Sequence, residues 1–112
     1  MIRVDRAWGY SQSGLMGAAH ADYDRAVELA PDSYVVANER ALFFLRLGDL
    51  TSALRDYDTA EKLNADVAYP HYGRGIALLR SGNSAAGQGE LATARRLQEN
   101  VDQIFRTIGM TP

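Results

Sequence analysis

Apolar positions recur at helical spacing in six segments of the chain, 2–13, 16–29, 34–47, 50–63, 68–81 and 84–98. The segments repeat one another. Gly14, Gly48 and Gly82 stand 34 residues apart, and Arg6, Arg40 and Arg74 keep the same step. So do Ala19, Ala53 and Gly87, then Tyr23, Tyr57 and Leu91, then Ala26, Ala60 and Ala94, then Leu29, Leu63 and Leu97. Asp22-Tyr23-Asp24 returns as Asp56-Tyr57-Asp58 and fades to Glu90-Leu91-Ala92. One spacing shared by six columns without an insertion predicts three copies of a two-helix unit, over about 1–33, 34–67 and 68–101. Glycine at 14, 48 and 82 suits the left-handed residue that ends a helix, because it has no Cβ to clash. Pro31, Asp32 and Ser33 stop one helix and supply a cap for the next. Asn64-Ala65-Asp66 holds the matching place, with Asp66 as the expected cap and Pro70 in the first turn that follows.

The order of small residue, aromatic, glycine turn, alanine, aromatic, alanine and proline resembles the tetratricopeptide repeat. The second copy fits best, with Ala41, Phe44, Gly48, Ala53, Tyr57 and Ala60. The first has Ala7, Tyr10, Gly14, Ala19, Tyr23, Ala26 and Pro31. In the third, Gly75, Leu78, Gly82, Gly87, Leu91 and Ala94 hold the columns without an aromatic. The resemblance implies an all-α, right-handed superhelical solenoid of three antiparallel helix pairs plus a C-terminal capping helix within 102–112. Antiparallel helices approach closely only where their contact residues are small, and an aromatic then fills the space beside the contact. A single pair cannot bury its apolar face, so stacked neighbours build the core.

The ends of the array are less regular. Val101, Ile104, Phe105 and Ile108 lie on one side of an amphipathic stretch, and Asn100, with Gln103 three residues on, is its expected N-cap. A continuous helix over 84–108 is the alternative, since no glycine or proline lies between Gly89 and Gly109. Gly87 and Gly89 each cost roughly 1 kcal/mol relative to alanine inside a helix, so the third unit is expected to be the least stable. Met1 falls at the second position of the first repeat, which leaves no room for a helix cap and is compatible with a piece of a longer repeat protein.

Composition narrows the function. The 112 residues are 46% hydrophobic and 23% charged, with a formal charge of −2, so no basic excess points to nucleic acid. Cysteine is absent, which removes disulfides, thiol catalysis and thiolate metal sites. The longest apolar run, Ala41 to Leu45, is too short to cross a bilayer. Arg3, Asp5 and Arg6 break any signal-peptide run, which favours the cytoplasm. His20 and His71 lie on different repeats without a second histidine or a cysteine nearby, so neither is expected to hold a metal. His20 is expected at a core or interface position, and His71 in solvent, with a pH-sensitive contact near the groove of the repeat array as its other reading. The aspartates flanking Tyr23 and Tyr57 read as the polar side of a helix, and Arg6, Arg40 and Arg74 as partners of carboxylates in their own or the next repeat. Gly73-Arg74-Gly75 lies inside a predicted helix and not after a strand, so it is no phosphate loop. No enzyme activity and no cofactor are expected.

The resemblance also implies a concave groove lined by the first helix of each repeat. Its exposed stripe would be Val4 and Trp8, then Asn38, Leu42 and Leu45, then Tyr69, Tyr72, Ile76 and Leu79, with Arg80 at the end and Glu39 and Arg46 beside it. Such an apolar, aromatic stripe implies a non-enzymatic interaction module that binds an apolar or amphipathic protein or peptide segment. Two other occupants are conceivable: the chain's own segment 101–110, or a second copy in a self-assembling structural unit. Family members that clamp a C-terminal carboxylate use lysine, asparagine and arginine at positions that are here Val4, Trp8, Glu39, Tyr69 and Gly73. No cation stands there to hold the charge. Titration with an acidic chaperone-type tail peptide is expected to show no binding; micromolar affinity would contradict the assignment.

Overall fold

The computed structural model describes residues 16–112, and all regular structure among them is α-helical. The helices are α1 (Met16–Leu29), α2 (Tyr34–Leu47), α3 (Leu50–Leu63), α4 (Ala68–Arg80), α5 (Ser84–Leu97) and α6 (Val101–Thr107). They match the expected segments to within a residue, and the expected helix over 2–13 lies outside the described residues. α2 pairs with α3 and α4 with α5, while α3 against α4 joins the second copy to the third. This is the all-α helical-repeat solenoid that the periodicity predicts.

The turns follow their residues. Gly48 and Gly82 take φ of 83° and 90°, which an L side chain rarely adopts. The Ser33 hydroxyl accepts from the Val36 amide at 3.3 Å to open α2, and Asp49 accepts from the Ser52 amide at 3.2 Å to open α3. Before α4 the expectation fails: Val67 is the N-cap and makes no side-chain cap bond. The Asn64 side chain instead accepts from the Asp66 amide at 3.1 Å, an Asx-type turn that draws Asp66 away from the cap. Asn100 does occupy the N-cap of α6, but its side chain caps no amide there.

The core is made of the repeat columns. Tyr23, Tyr57 and Leu91 are buried, as are Ala19 and Ala53 before them and Ala26, Ala60 and Ala94 after them. The leucine column is different, because Leu29 and Leu63 are exposed. Small residues set the spacing of the helices. A Cβ at Gly75 would stand 3.1 Å from the Gly87 carbonyl and 2.9 Å from Leu91, and one at Gly87 would stand 3.0 Å from the Gly75 carbonyl. A Cβ at Gly73 would overlap the Tyr57 ring. α5 ends at Leu97 and α6 is a separate helix, so the long continuous helix is not formed. Phe105 of α6 keeps the 34-residue register of Ala37 and His71, so α6 stands where a further first helix would stand.

The glycines of α5 therefore have opposite meanings. Gly87→Ala should destabilise by about 1–3 kcal/mol through overpacking against α4. Gly89, with open space around it, should gain up to about 1 kcal/mol on Gly89→Ala. Urea unfolding of the two variants reads both signs, and equal effects would contradict the packing.

Candidate functional site

The stripe expected to line an open groove is carried by α2 and α4. Asn38, Tyr69 and Leu79 are partly buried there and Arg80 is exposed. Val4 and Trp8 lie outside the described residues. Four other members correct the expectation of an exposed stripe. Leu45 and Ile76 are 0% exposed, Tyr72 1% and Leu42 8%, and all four belong to one core cluster that also holds Phe105 and Met110. For Tyr72 the physical reason is the C-terminal segment, whose Phe105 packs on its ring; Leu42, Leu45 and Ile76 are buried in the same cluster, where α2 also meets α4 directly.

Specific contacts seat that segment. The Phe105 ring lies 4.4 Å from the ring of Tyr72 and 6.1 Å from that of Tyr69. The Tyr72 hydroxyl donates to Asp102 Oδ1 at 2.6 Å, and Arg95 donates to both Asp102 oxygens at 2.9 and 3.0 Å. Arg95 and Tyr72 hold the Asp102 carboxyl down at about 2. Farther on, Arg46 at the end of α2 donates to the Ile108 carbonyl at 2.8 Å, and Met110 is buried. The segment thus spans from α5 to α2. Glu39 beside it is raised by burial and opposed by the Arg46 charge.

A second feature runs between the repeats. Arg40 grips Asp56 with two hydrogen bonds of 2.7 and 2.9 Å and reaches Asp24 of the preceding repeat at 3.3 Å. Arg74 repeats the motif with Glu90 at 3.3 Å and Glu61 at 3.9 Å. Each arginine therefore pairs inside its own repeat and with the one before, where the next repeat had been the other expectation. Asp22 and Asp56 are buried, contrary to their reading as a solvated face. The guanidinium explains this for Asp56, since a bidentate partner makes a buried carboxylate tolerable.

Around Arg74 the pattern gains two groups. His71 is buried, which corrects its expected place in solvent. Its Nε2 lies 2.8 Å from the Ala65 carbonyl, and its Nδ1 lies 3.0 Å from Glu90 and 3.5 Å from Glu61. Burial, then the hydrogen bond and charge of Glu90, push Glu61 up to about 7. Burial alone would lower His71, but the Ala65 carbonyl, the Glu90 hydrogen bond and the charges of Glu61 and Glu90 outweigh it and raise the imidazole. The sequence did hold a signal for this cluster. Glu61 and His71 occupy columns filled by Val27 and Ala37 in the preceding copy, a departure from the repeat that regular spacing conceals. His20, by contrast, is exposed and not part of the core, although it lies beside α2, 5.4 Å from the Phe44 ring, and 3.4 Å from Asp24.

With six helices among its described residues, the protein fits a tetratricopeptide-like helical-repeat fold. It is similar to the Yersinia enterocolitica type III secretion translocator chaperone SycD, solved as an alternative dimer, with a TM-score of 0.81 and 18% identity over 95% of this chain and 80% of that one. SycD in complex with a peptide of the translocator YopD gives a TM-score of 0.80 at 18% identity, with the same coverage. MamA (MSR-1 C2) gives 0.72 at 17% identity, over 88% of this chain and 59% of that one. No family model and no curated protein matches the sequence.

The buried cluster makes stability depend on pH. The folded-state values of Glu61 and His71 both lie above their ordinary 4.5 and 6.5, so the folded protein binds more protons than the unfolded chain. The Glu61 contribution is complete below pH 4.5 and is lost as pH rises through about 7; that of His71 is complete below 6.5 and is lost above it. The melting temperature should fall by several degrees from about pH 5 to about pH 8, where one kcal/mol is worth about 4–8 °C. Glu61→Gln should flatten that slope. A melting temperature that rises with pH, or an unchanged slope in the variant, would contradict the assignment.

Proposed function

We propose that the protein is a non-enzymatic interaction module that holds an apolar or amphipathic segment of a partner protein on the face formed by its first helices. The observation that carries this reading is the seat of the chain's own C-terminal segment. There the face receives an aromatic ring from Phe105, a backbone carbonyl at Arg46 and the buried thioether of Met110. A partner offering an aromatic or aliphatic anchor and a free main-chain carbonyl uses the same chemistry. Asn38, Tyr69, Leu79 and Arg80 are the stripe residues such a segment reaches, while Leu42, Leu45, Tyr72 and Ile76 form the floor beneath it. Val4 and Trp8 would extend the stripe into the first repeat. The SycD complex with a peptide of YopD supports a peptide as the class of ligand.

A second reading is a structural unit that binds copies of itself. It is favoured by Leu29, Val35, Leu47 and Leu63, which are exposed to 39–52%. Light scattering over a concentration series separates the two, since a mass independent of concentration speaks against self-assembly. For the preferred reading, a captured partner segment should bind Tyr69→Ala and Leu79→Ala more weakly by about 1–2 kcal/mol each in anisotropy titrations. Unchanged affinity in both folded variants would exclude the stripe as the docking face.

A further inference from the structure

The interface between the second and third copies carries more chemistry than the repeat needs in order to stack. At the preceding interface the corresponding residues are Val27, Ala37, Arg40 and Asp56, which border a cleft of about 200 Å³, and Arg40 with its two aspartates, Asp56 and Asp24, suffices. At the next interface Glu61, His71, Arg74 and Glu90 take those four places. Two potential metal ligands have been added, so that α3, α4 and α5 each contribute one.

The geometry decides what these side chains face. The Ala65 carbonyl can only accept, so the Nε2 it meets at 2.8 Å carries the hydrogen. In the neutral imidazole, Nδ1 then presents a lone pair to Glu90 Oε2 at 3.0 Å and Glu61 Oε1 at 3.5 Å. Three acceptor atoms, all within 4.8 Å of one another, converge on one point, which a proton or a metal ion can share. Tetrahedral bonds of 2.0–2.1 Å place neighbouring ligand atoms about 3.3 Å apart, a value between the two distances to Nδ1. The outer shell is also built. A backbone carbonyl fixes the tautomer of His71, and Arg74 addresses the outer oxygens, Glu90 Oε1 at 3.3 Å and Glu61 Oε2 at 3.9 Å, leaving the inner ones free for an ion. The mixed nitrogen and oxygen donor set suits zinc better than calcium or magnesium, which take oxygen ligands alone.

We propose that Glu61, His71 and Glu90 form a binding site for a zinc-class divalent cation that joins the second repeat to the third. The two carboxylates and Arg74 sum to a charge of −1, which the dication more than offsets with His71 neutral. Proton and metal compete for the same lone pairs, so metal affinity rises with pH.

Zinc chloride titrated calorimetrically into the whole chain at about pH 7.5 should show one saturable site, together with a higher melting temperature. Glu61→Gln and His71→Gln should each weaken that site by more than the roughly 10- to 100-fold typical of losing an outer-shell partner. His20→Gln should leave it unchanged. Absence of saturable binding, equal binding in both cluster variants, or loss on His20→Gln would overturn the proposal in favour of a purely proton-linked network. Should the cluster variants fail to fold, imidazole nitrogen spectra of the unaltered protein decide: zinc must move the His71 Nδ1 resonance, and a stationary resonance refutes the site.

Discussion

Where α4 crosses α5, the two backbones come so close that a methyl group on Gly75 or Gly87 would press on the opposite carbonyl. The rest of the structure depends on that approach. It lets Leu91 reach full burial and, through the same columns in the preceding copy, leaves Tyr57 the space it fills against Gly73. Helices held farther apart would leave voids that an aromatic could not close, and lost contacts of this kind are costly in a densely packed interior. The alanine and glycine columns thus act first, and the aromatic columns are their consequence.

The architecture was legible because each of its signals is local. Spacing, turn glycines and the serine cap are properties of short windows, and the helices appear where those windows place them. The exceptions had two causes. Asp66 misses the cap for a local reason, since Asn64 claims its amide, whereas Tyr72 loses its exposure to a tertiary contact, because Phe105 and Asp102, the latter 30 positions on, close over it. Nothing in the periodicity of α2 and α4 could report that cover. The pattern shows which residues share a face, and a distant segment determines whether the face stays open.

The charged residues follow the same division. The arginine column was visible as a column, but its partners became known only when adjacent repeats were seen to share it, Arg40 reaching Asp24 and Arg74 reaching Glu61. His71 was hardest to place, since a polar residue in a first turn ordinarily meets water. Its burial depends on Glu61 and Glu90, which stand on neighbouring helices, and only the departure of Glu61 and His71 from their repeat columns marks them in the sequence. Departures from the repeat average, more than agreement with it, mark where this protein does something its neighbours in the array do not.

Because the two interfaces differ in chemistry, warming should affect them unequally. Hydration of charged groups becomes less favourable as temperature rises, so keeping ions out of water grows easier, whereas the benefit of hiding hydrocarbon levels off. The junction at Arg74, which adds His71 to the arginine and two carboxylates that both junctions hold, therefore gains ground on its counterpart at high temperature, and the glycine-rich last pair is tethered most effectively just where helix propensity alone would have it melt first.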